Sequence, residues 1–311
     1  MIFLVDTLSF RVVSLKKFDV IEILGLTDKI EAWEDGVGFN GYPNAMYYNG
    51  IRIAYNGQRG FECYVHMSGK GCRTWEDLTS LSGFQELIQL LSDNKDMFHM
   101  ARIDIACDDY TDSLNLQRLQ KYYNAGKYST RATYITFVTG SEEIMYVGSP
   151  QSDTRLRIYN KKLERGYTEQ KDLDGKPWYR AEFQFRDKVA TACVTALSKS
   201  SDIGGVFLGK LREHIRFLTR PNDKLNAQRI PEARFWTEFC QNCARVKFIY
   251  EPGSDYNLSK LERFCIKGAG SSLKTLILAE RMTAEQLYKK FTSNDIFLRQ
   301  DQKELIKKYD G

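Results

Sequence analysis

Three segments of this chain alternate apolar and charged residues with a period of two. In "ARIDIACDD" (101–109) Ile103, Ile105 and Cys107 share one phase, and Arg102, Asp104, Ala106 and Asp108 the other. In "TRLRIYNKKLER" (154–165) Leu156 and Ile158 alternate with Arg157, Tyr159 and Lys161, and in "YRAEFQFRD" (179–187) Ala181, Phe183 and Phe185 alternate with Arg180, Glu182, Gln184 and Arg186. Period two is the signature of strands with one buried and one polar face. These segments therefore predict neighbouring strands of a sheet whose apolar side is covered and whose other side gathers carboxylates, arginines and one tyrosine.

The remaining pattern predicts an α+β fold with helices on one face of an antiparallel sheet. "FLVDTLSFRVV" (3–13) reads as a strand, 15–26 has helical spacing, and 36–66 reads as strands joined by tight turns, with Asn-Gly twice as a hairpin signal. "SGKGCR" (68–73) reads as a glycine turn, and 74–93 as a helix. The order then repeats: strand 100–110, helix 113–126 ending at a glycine, and strands near 132–139, 144–148, 154–161 and 177–187. Both halves open strand-then-helix, which hints at an internal duplication. Beyond 188 the chain reads as almost entirely helical, with a capping-box pattern at Thr283 and Gln286. The expected division is an α+β domain over 1–190 and a mainly helical region over 191–311.

Charge is uneven. Residues 1–100 hold nine Lys/Arg and thirteen Asp/Glu, a net of −4, so the other residues hold 36 against 27, a net of +9. That surplus suits a polyanion along the last two thirds. No apolar run approaches the roughly 20 residues of a membrane span, and "MIFLVDTLSFRVV" lacks the basic start of a signal peptide. Seven cysteines without a regular framework point to reduced thiols and a cytoplasmic protein. A single CxxC (240–243) has no second ligand pair nearby, and His66, His99 and His214 form no H-x-H pair. Neither a Walker loop nor a dinucleotide fingerprint is present.

On the polar face, Asp104, Glu182 and Asp108 are oxygen donors of the kind a hard divalent cation takes. Tyr159 offers a hydroxyl nucleophile, while Arg102, Arg157, Lys161 and Arg180 offer phosphate contacts. The plainer alternative is a solvated face laced by cross-strand ion pairs. Lys70 and Arg73 either flank a simple turn or approach a phosphate.

These segments also resemble a family. "YVGSPQSDTRLRIYNKKLER" (146–165), "ARIDIACDD" and "WYRAEFQFRD" (178–187) resemble, in order, motif segments of the transfer-type rolling-circle replication initiators of Gram-positive plasmids and the related relaxases of integrative elements. "SKLERFCIKG" (259–268) resembles a later segment, and "MSGKGCR" the form in the relaxase and phage branches. The resemblance implies a nick in one DNA strand at an origin, with Tyr159 joined to the 5′ phosphate. It implies a metal site at Asp104, Asp108 and Glu182 served by Mn²⁺ or Mg²⁺. It brings in duplex and single-stranded origin DNA, a host helicase and a second copy of the chain as partners. The helix-turn-helix extension of many conjugative relaxases is not recognisable. Three rivals stand beside replication initiation: a relaxase acting at a transfer origin, a metal nuclease using water in place of Tyr159, and a non-catalytic DNA-binding protein.

Overall fold

The structure is a computed structural model. It describes residues 1–57, 60–166, 175–200, 202–222, 227–241, 248, 265, 270–293 and 306–307, without the side chains of 80–83 and 270–272. The chain divides into a compact unit over Met1–Ile249 and a second over Tyr250–Gly311.

The first unit is built on ten strands, in chain order β1 (Ile2–Val13), β2 (Glu34–Val37), β3 (Asn44–Tyr48), β4 (Ile51–Tyr55), β5 (Phe61–Met67), β6 (Phe98–Asp109), then β8 (Ile135–Val138), β9 (Ile144–Val147), β10 (Thr154–Asn160) and β11 (Tyr179–Arg186). Their order across the sheet is β2-β3-β4-β5-β1-β6-β11-β10-β9-β8. Every pairing is antiparallel. The two longest strands, β1 and β6, therefore sit side by side at the centre, and the chain fans outward from them in two mirrored series. The duplicated order expected from the sequence is present as topology.

Helices α1 (Lys17–Ile23), α2 (Gly69–Asp93), α3 (Leu116–Asn124), α4 (Lys161–Glu164), α5 (Asp187–Lys199), α6 (Ile203–His214) and α7 (Arg234–Phe239) complete the unit. One core joins the apolar phases of the central strands, including Leu8, Phe10, Ile103, Ile105, Ile158, Phe183 and Phe185, to Leu91, Val194, Phe207, Leu211 and Trp236 from the helices. Fully burying such side chains stabilises the fold by about 1.5–3 kcal/mol each.

Local chemistry explains several element ends. Asn49 and Gly50, at φ 43° and 90°, form the two-residue turn between β3 and β4. Asn115 caps α3 by accepting from the Arg118 amide, and Gly126 (φ 65°) follows its end. "SGKGCR" departs from expectation: it is the first turn of α2, not a loop. Gly71 is needed because a Cβ there would lie 2.3 Å from the Gly50 carbonyl oxygen, so the glycine lets helix and hairpin backbones meet.

The division expected near residue 190 also moves. α5 and α6 carry Val189, Cys193, Val206 and Phe207 into the common core, which extends the first unit through Ile249. Among the described residues beyond 188 most of the regular structure is helical, as read, with one exception. Strand β12 (Ile215–Phe217) pairs with β7 (Tyr128–Thr130) in a separate small sheet. Both are three-residue strands, too short for period two to register.

In the second unit, α8 (Gly270–Ala279) and α9 (Ala284–Phe291) are described. The capping box forms as read: Thr283 Oγ1 accepts from the Gln286 amide, and the Gln286 side chain accepts from the Thr283 amide. Cys243, and the 259–268 segment except Cys265, lie outside the described residues. The described cysteines are free thiols, buried at Cys63, Cys72, Cys107, Cys193 and Cys240 and exposed at Cys265. Among the described residues no helix is long and apolar enough to cross a membrane.

Candidate active site

Strand register puts the predicted residues on one sheet face. Arg157 on β10 stands opposite Glu182 on β11, and Tyr159 opposite Arg180. Glu182 in turn faces Ala106 on β6, and Gln184 faces Asp104. The apolar phases point the other way, into the helix-covered core.

The side chains then connect. The Tyr159 hydroxyl donates to Glu182 Oε2 at 3.2 Å, and Lys161 Nζ donates to the same hydroxyl oxygen at 3.4 Å. Arg157 Nη2 lies 2.9 Å from Glu182 Oε2 and 2.8 Å from Oε1, and its guanidinium stands 4.9 Å from the centre of the Tyr159 ring. Arg102 holds Asp104 by its Nε and Nη2. Asp104, Glu182 and Tyr159 are 0%, 1% and 3% exposed, so the nucleophile candidate and both carboxylates are sealed from bulk water.

Lys161 is not the last residue of a strand, as its phase suggested. It opens α4, whose N-cap Asn160 accepts from the Lys162 and Leu163 amides. The turn still swings the ammonium back to Tyr159, and Glu164 holds it at 2.8 Å.

Burial raises the pKa of Glu182, with Asp104's charge adding to the rise and Arg157 opposing it; burial likewise raises Asp104, opposed by Arg102. Tyr159 is also raised, first by burial and then by the charge of Glu182, while Arg157 and Arg180 pull the other way. Cations beside a tyrosine favour its phenolate. In this structure burial and Glu182 outweigh them, and the resting hydroxyl is neutral.

Asp108 lies apart from this group. Arg180 grips it with Nε at 2.6 Å and Nη2 at 2.8 Å, and reaches Asp6 with Nη1 at 2.9 Å. Arg180 is thus committed to carboxylates. Asp6 is the site neighbour that the alternation hid. A register shift between Val5 and Thr7 breaks the phase of β1, so period two gives no signal there.

Lys70 is exposed on α2, and Arg73 donates to the Val5 carbonyl at 2.6 Å and to Glu76 at 2.8 Å. Among the described residues, neither is bonded to Tyr159, Asp104 or Glu182. Of the other tyrosines near Tyr159 in the sequence, Tyr146 is half-buried opposite Arg157 with the Arg155 guanidinium 4.0 Å from its ring centre, and Tyr179 accepts from Asn115. Tyr167 lies outside the described residues.

Among the described residues, no three His, Cys, Asp or Glu side chains form a metal-binding group. The donors present are the oxygens of Asp104 and Glu182. They suit a hard cation in kind, and their raised pKa values reflect negative charge held in a dry place that a divalent ion would relieve.

The antiparallel sheet, with helices on one face and a tyrosine among carboxylates and arginines on the other, matches the fold of a solved rolling-circle replication initiator. The chain matches "Replication initiation factor" over residues 98–291 and "Rolling Circle replication initiation protein N-terminal domain" over 3–92. It belongs to the replication initiation factor family. It is 25% identical over 276 residues to the putative DNA relaxase NicK of Bacillus subtilis (strain 168), spanning 81% of this chain and 75% of that protein. The structure of a rolling-circle replication initiator protein from Geobacillus stearothermophilus overlays with a TM-score of 0.68 at 26% identity, covering 80% of this chain and 99% of that one.

Proposed function

We propose that this protein nicks one DNA strand at a replication origin, with Tyr159 as nucleophile. The Tyr159 oxygen attacks the scissile phosphorus. The tyrosine O–P bond forms as the bond from phosphorus to the 3′ oxygen breaks. The phenol proton passes to Glu182, and the departing 3′ oxygen takes one from solvent. The products are a 5′-phosphotyrosine and a free 3′ hydroxyl. One phosphodiester replaces another, so the reverse reaction rejoins the strand at little free-energy cost.

The observation that carries this reading is the Tyr159 hydroxyl donating to Glu182 at 3.2 Å while Lys161 donates to the same oxygen. The first contact gives the proton a destination, and the second stabilises the phenolate as it forms. Arg157 and Arg102, which rest on Glu182 and Asp104, would turn to hold the phosphate. Asp104 and Glu182 would hold Mn²⁺ or Mg²⁺, which supplies neutralisation of phosphate charge. Duplex origin recognition is assigned to the basic region over 191–311. A host helicase and a second copy of the chain complete the partner set, in the cytoplasm.

The identity to a putative DNA relaxase favours a second reading, in which the same chemistry acts at a transfer origin. The test is incubation with supercoiled and single-stranded DNA from the sequence around the gene, with Mn²⁺ or EDTA, followed by a denaturing gel. A DNA-linked protein band that needs Mn²⁺ supports the proposal. Cleavage without an attached protein points to a water-using nuclease, and binding without cleavage to a non-catalytic protein. Cleavage in EDTA equal to that in Mn²⁺ overturns the metal assignment.

A further inference from the structure

The sheet presents the site's row of positions twice. At its centre Thr7 stands opposite Asp104, Ser9 opposite Arg102 and Leu4 opposite Ala106. A two-fold turn about the Thr7–Asp104 pair relates, by register, Ser9 to Ala106 and Arg11 to Asp108. The ladders continue the correspondence outward. Ser9 faces His66 as Ala106 faces Glu182. His66 faces Arg52 as Glu182 faces Arg157. Arg52 faces Tyr47 as Arg157 faces Tyr146. Two places further along the strand, Ala54 answers Tyr159.

The chemistry of the N-terminal copy is changed in one direction. Thr7, His66 and Arg11 stand where Asp104, Glu182 and Asp108 stand, and Ala54 replaces the tyrosine. All three carboxylates and the nucleophile are gone, while the arginine and the outer tyrosine are kept. Arg52 is exposed and makes no ion pair among the described residues; its guanidinium lies 6.0 Å from the Phe39 ring centre and 5.7 Å from that of Tyr47. His66 shares a 2.8 Å hydrogen bond with Ser9, and burial together with Arg52 and Arg102 lowers its pKa, so the positive charge of the row comes from its arginines. Phe39, reaching over from the β2–β3 loop, packs edge-on against both His66 and Tyr64. The row is continuous with the candidate active site, because Arg102 at its inner end also pairs with Asp104. Glu34, opposite Tyr47 on the edge strand, closes it. Arg102 and Arg52 are three strands apart, about 14 Å at the usual strand spacing.

We propose that this stripped copy is a platform for single-stranded DNA. A strand held at Tyr159 continues over Arg102, His66 and Arg52, with phosphates on the arginines and unpaired bases against Phe39 and Tyr47. Aromatic rings beside an unpaired arginine, here Arg52, serve single strands, whose bases are free to stack; a duplex offers no such faces. The inference rests on the reading of Tyr159 as the nicking residue for the strand's entry point, but its test does not use cleavage.

The test is fluorescence anisotropy on the full chain with labelled mixed-sequence DNA of about 30 nucleotides, longer than the roughly 4–16 that one small module covers, single-stranded and duplex. Arg52→Ala is expected to weaken single-strand binding about fivefold and to lower the salt slope by about 0.7, with duplex binding much less affected. Arg52→Lys is expected to restore the slope without the full affinity, and Lys121→Ala, on the helix-covered face, to match wild type. A thermal midpoint equal to wild type shows that Arg52→Ala is folded. Unchanged single-strand affinity and slope in Arg52→Ala overturn the proposal, and so does an equal loss on duplex. Failure of the Tyr159 adduct, with the Arg52 effects intact, would remove the nicking reading and leave the platform standing.

Discussion

Tyr159→Phe separates chemistry from structure at the scale of a single atom. It removes a hydroxyl that donates to Glu182, but Arg157 still holds both Glu182 oxygens. The expected result is loss of the DNA-linked adduct with a stability change of about 1 kcal/mol or less, read from the denaturing gel and a urea titration. Peptide mapping of the adduct checks the assignment against Tyr146. The acids give a pH signature. Asp104 and Glu182 have folded-state pKa values raised above their ordinary range, so the folded protein holds more protons than the unfolded chain in the interval between. Their contribution to stability is therefore present at low pH and lost as pH rises through the raised values. Asp104→Asn should flatten that part of a melting-temperature profile measured from about pH 4 to 8, and also end Mn²⁺-dependent nicking.

At the scale of elements, the site depends on how strands and helix starts meet. Gly71 has no room for a side chain, since its Cβ would press on the Gly50 carbonyl. Gly71→Ala must push the start of α2 away from the β3–β4 hairpin, at a cost of about 1–3 kcal/mol in a urea titration. The central strands carry the heavier term. Phe183 is fully buried and stacks against Phe185, 5.1 Å between ring centres, on the face opposite Glu182. Phe183→Ala should cost about 3–5 kcal/mol. Because Phe183 adjoins Glu182 in β11, nicking should fall with the folded fraction; full activity in a strongly destabilised variant would separate the site from the sheet that carries it.

For the whole molecule, the compact unit ends near Ile249, beyond the division expected near 190. Phe207, Leu211, Phe217 and Trp236 belong to the same core as the central strands. A chain cut after residue 190 leaves the apolar face of the sheet open and should fail to unfold cooperatively, whereas one cut after Ile249 should melt as a single transition. Circular dichroism on the two fragments decides it. Cutting after Ile249 should also leave single-strand binding by the Arg52 row in place, since that row lies wholly in the first unit.

Period two in "ARIDIACDD", "TRLRIYNKKLER" and "YRAEFQFRD" was enough, read from the sequence alone, to place Asp104, Tyr159 and Glu182 on a common face, because a strand's side chains alternate whatever its neighbours are. Asn49-Gly50 and the Thr283 box were legible for the same reason: each is satisfied by its own few residues. What the sequence left open was every feature fixed by a partner distant in the chain. The bulge that brings Asp6 to Arg180, and the hairpin that requires Gly71, follow from contacts between separate elements. So does the neutral state of Tyr159, which the neighbouring cations alone would not produce. Coulomb attraction to Arg157 was readable from spacing. The burial that outweighs it exists only once ten strands and their helices have closed around the ring, and that balance is a property of the tertiary structure.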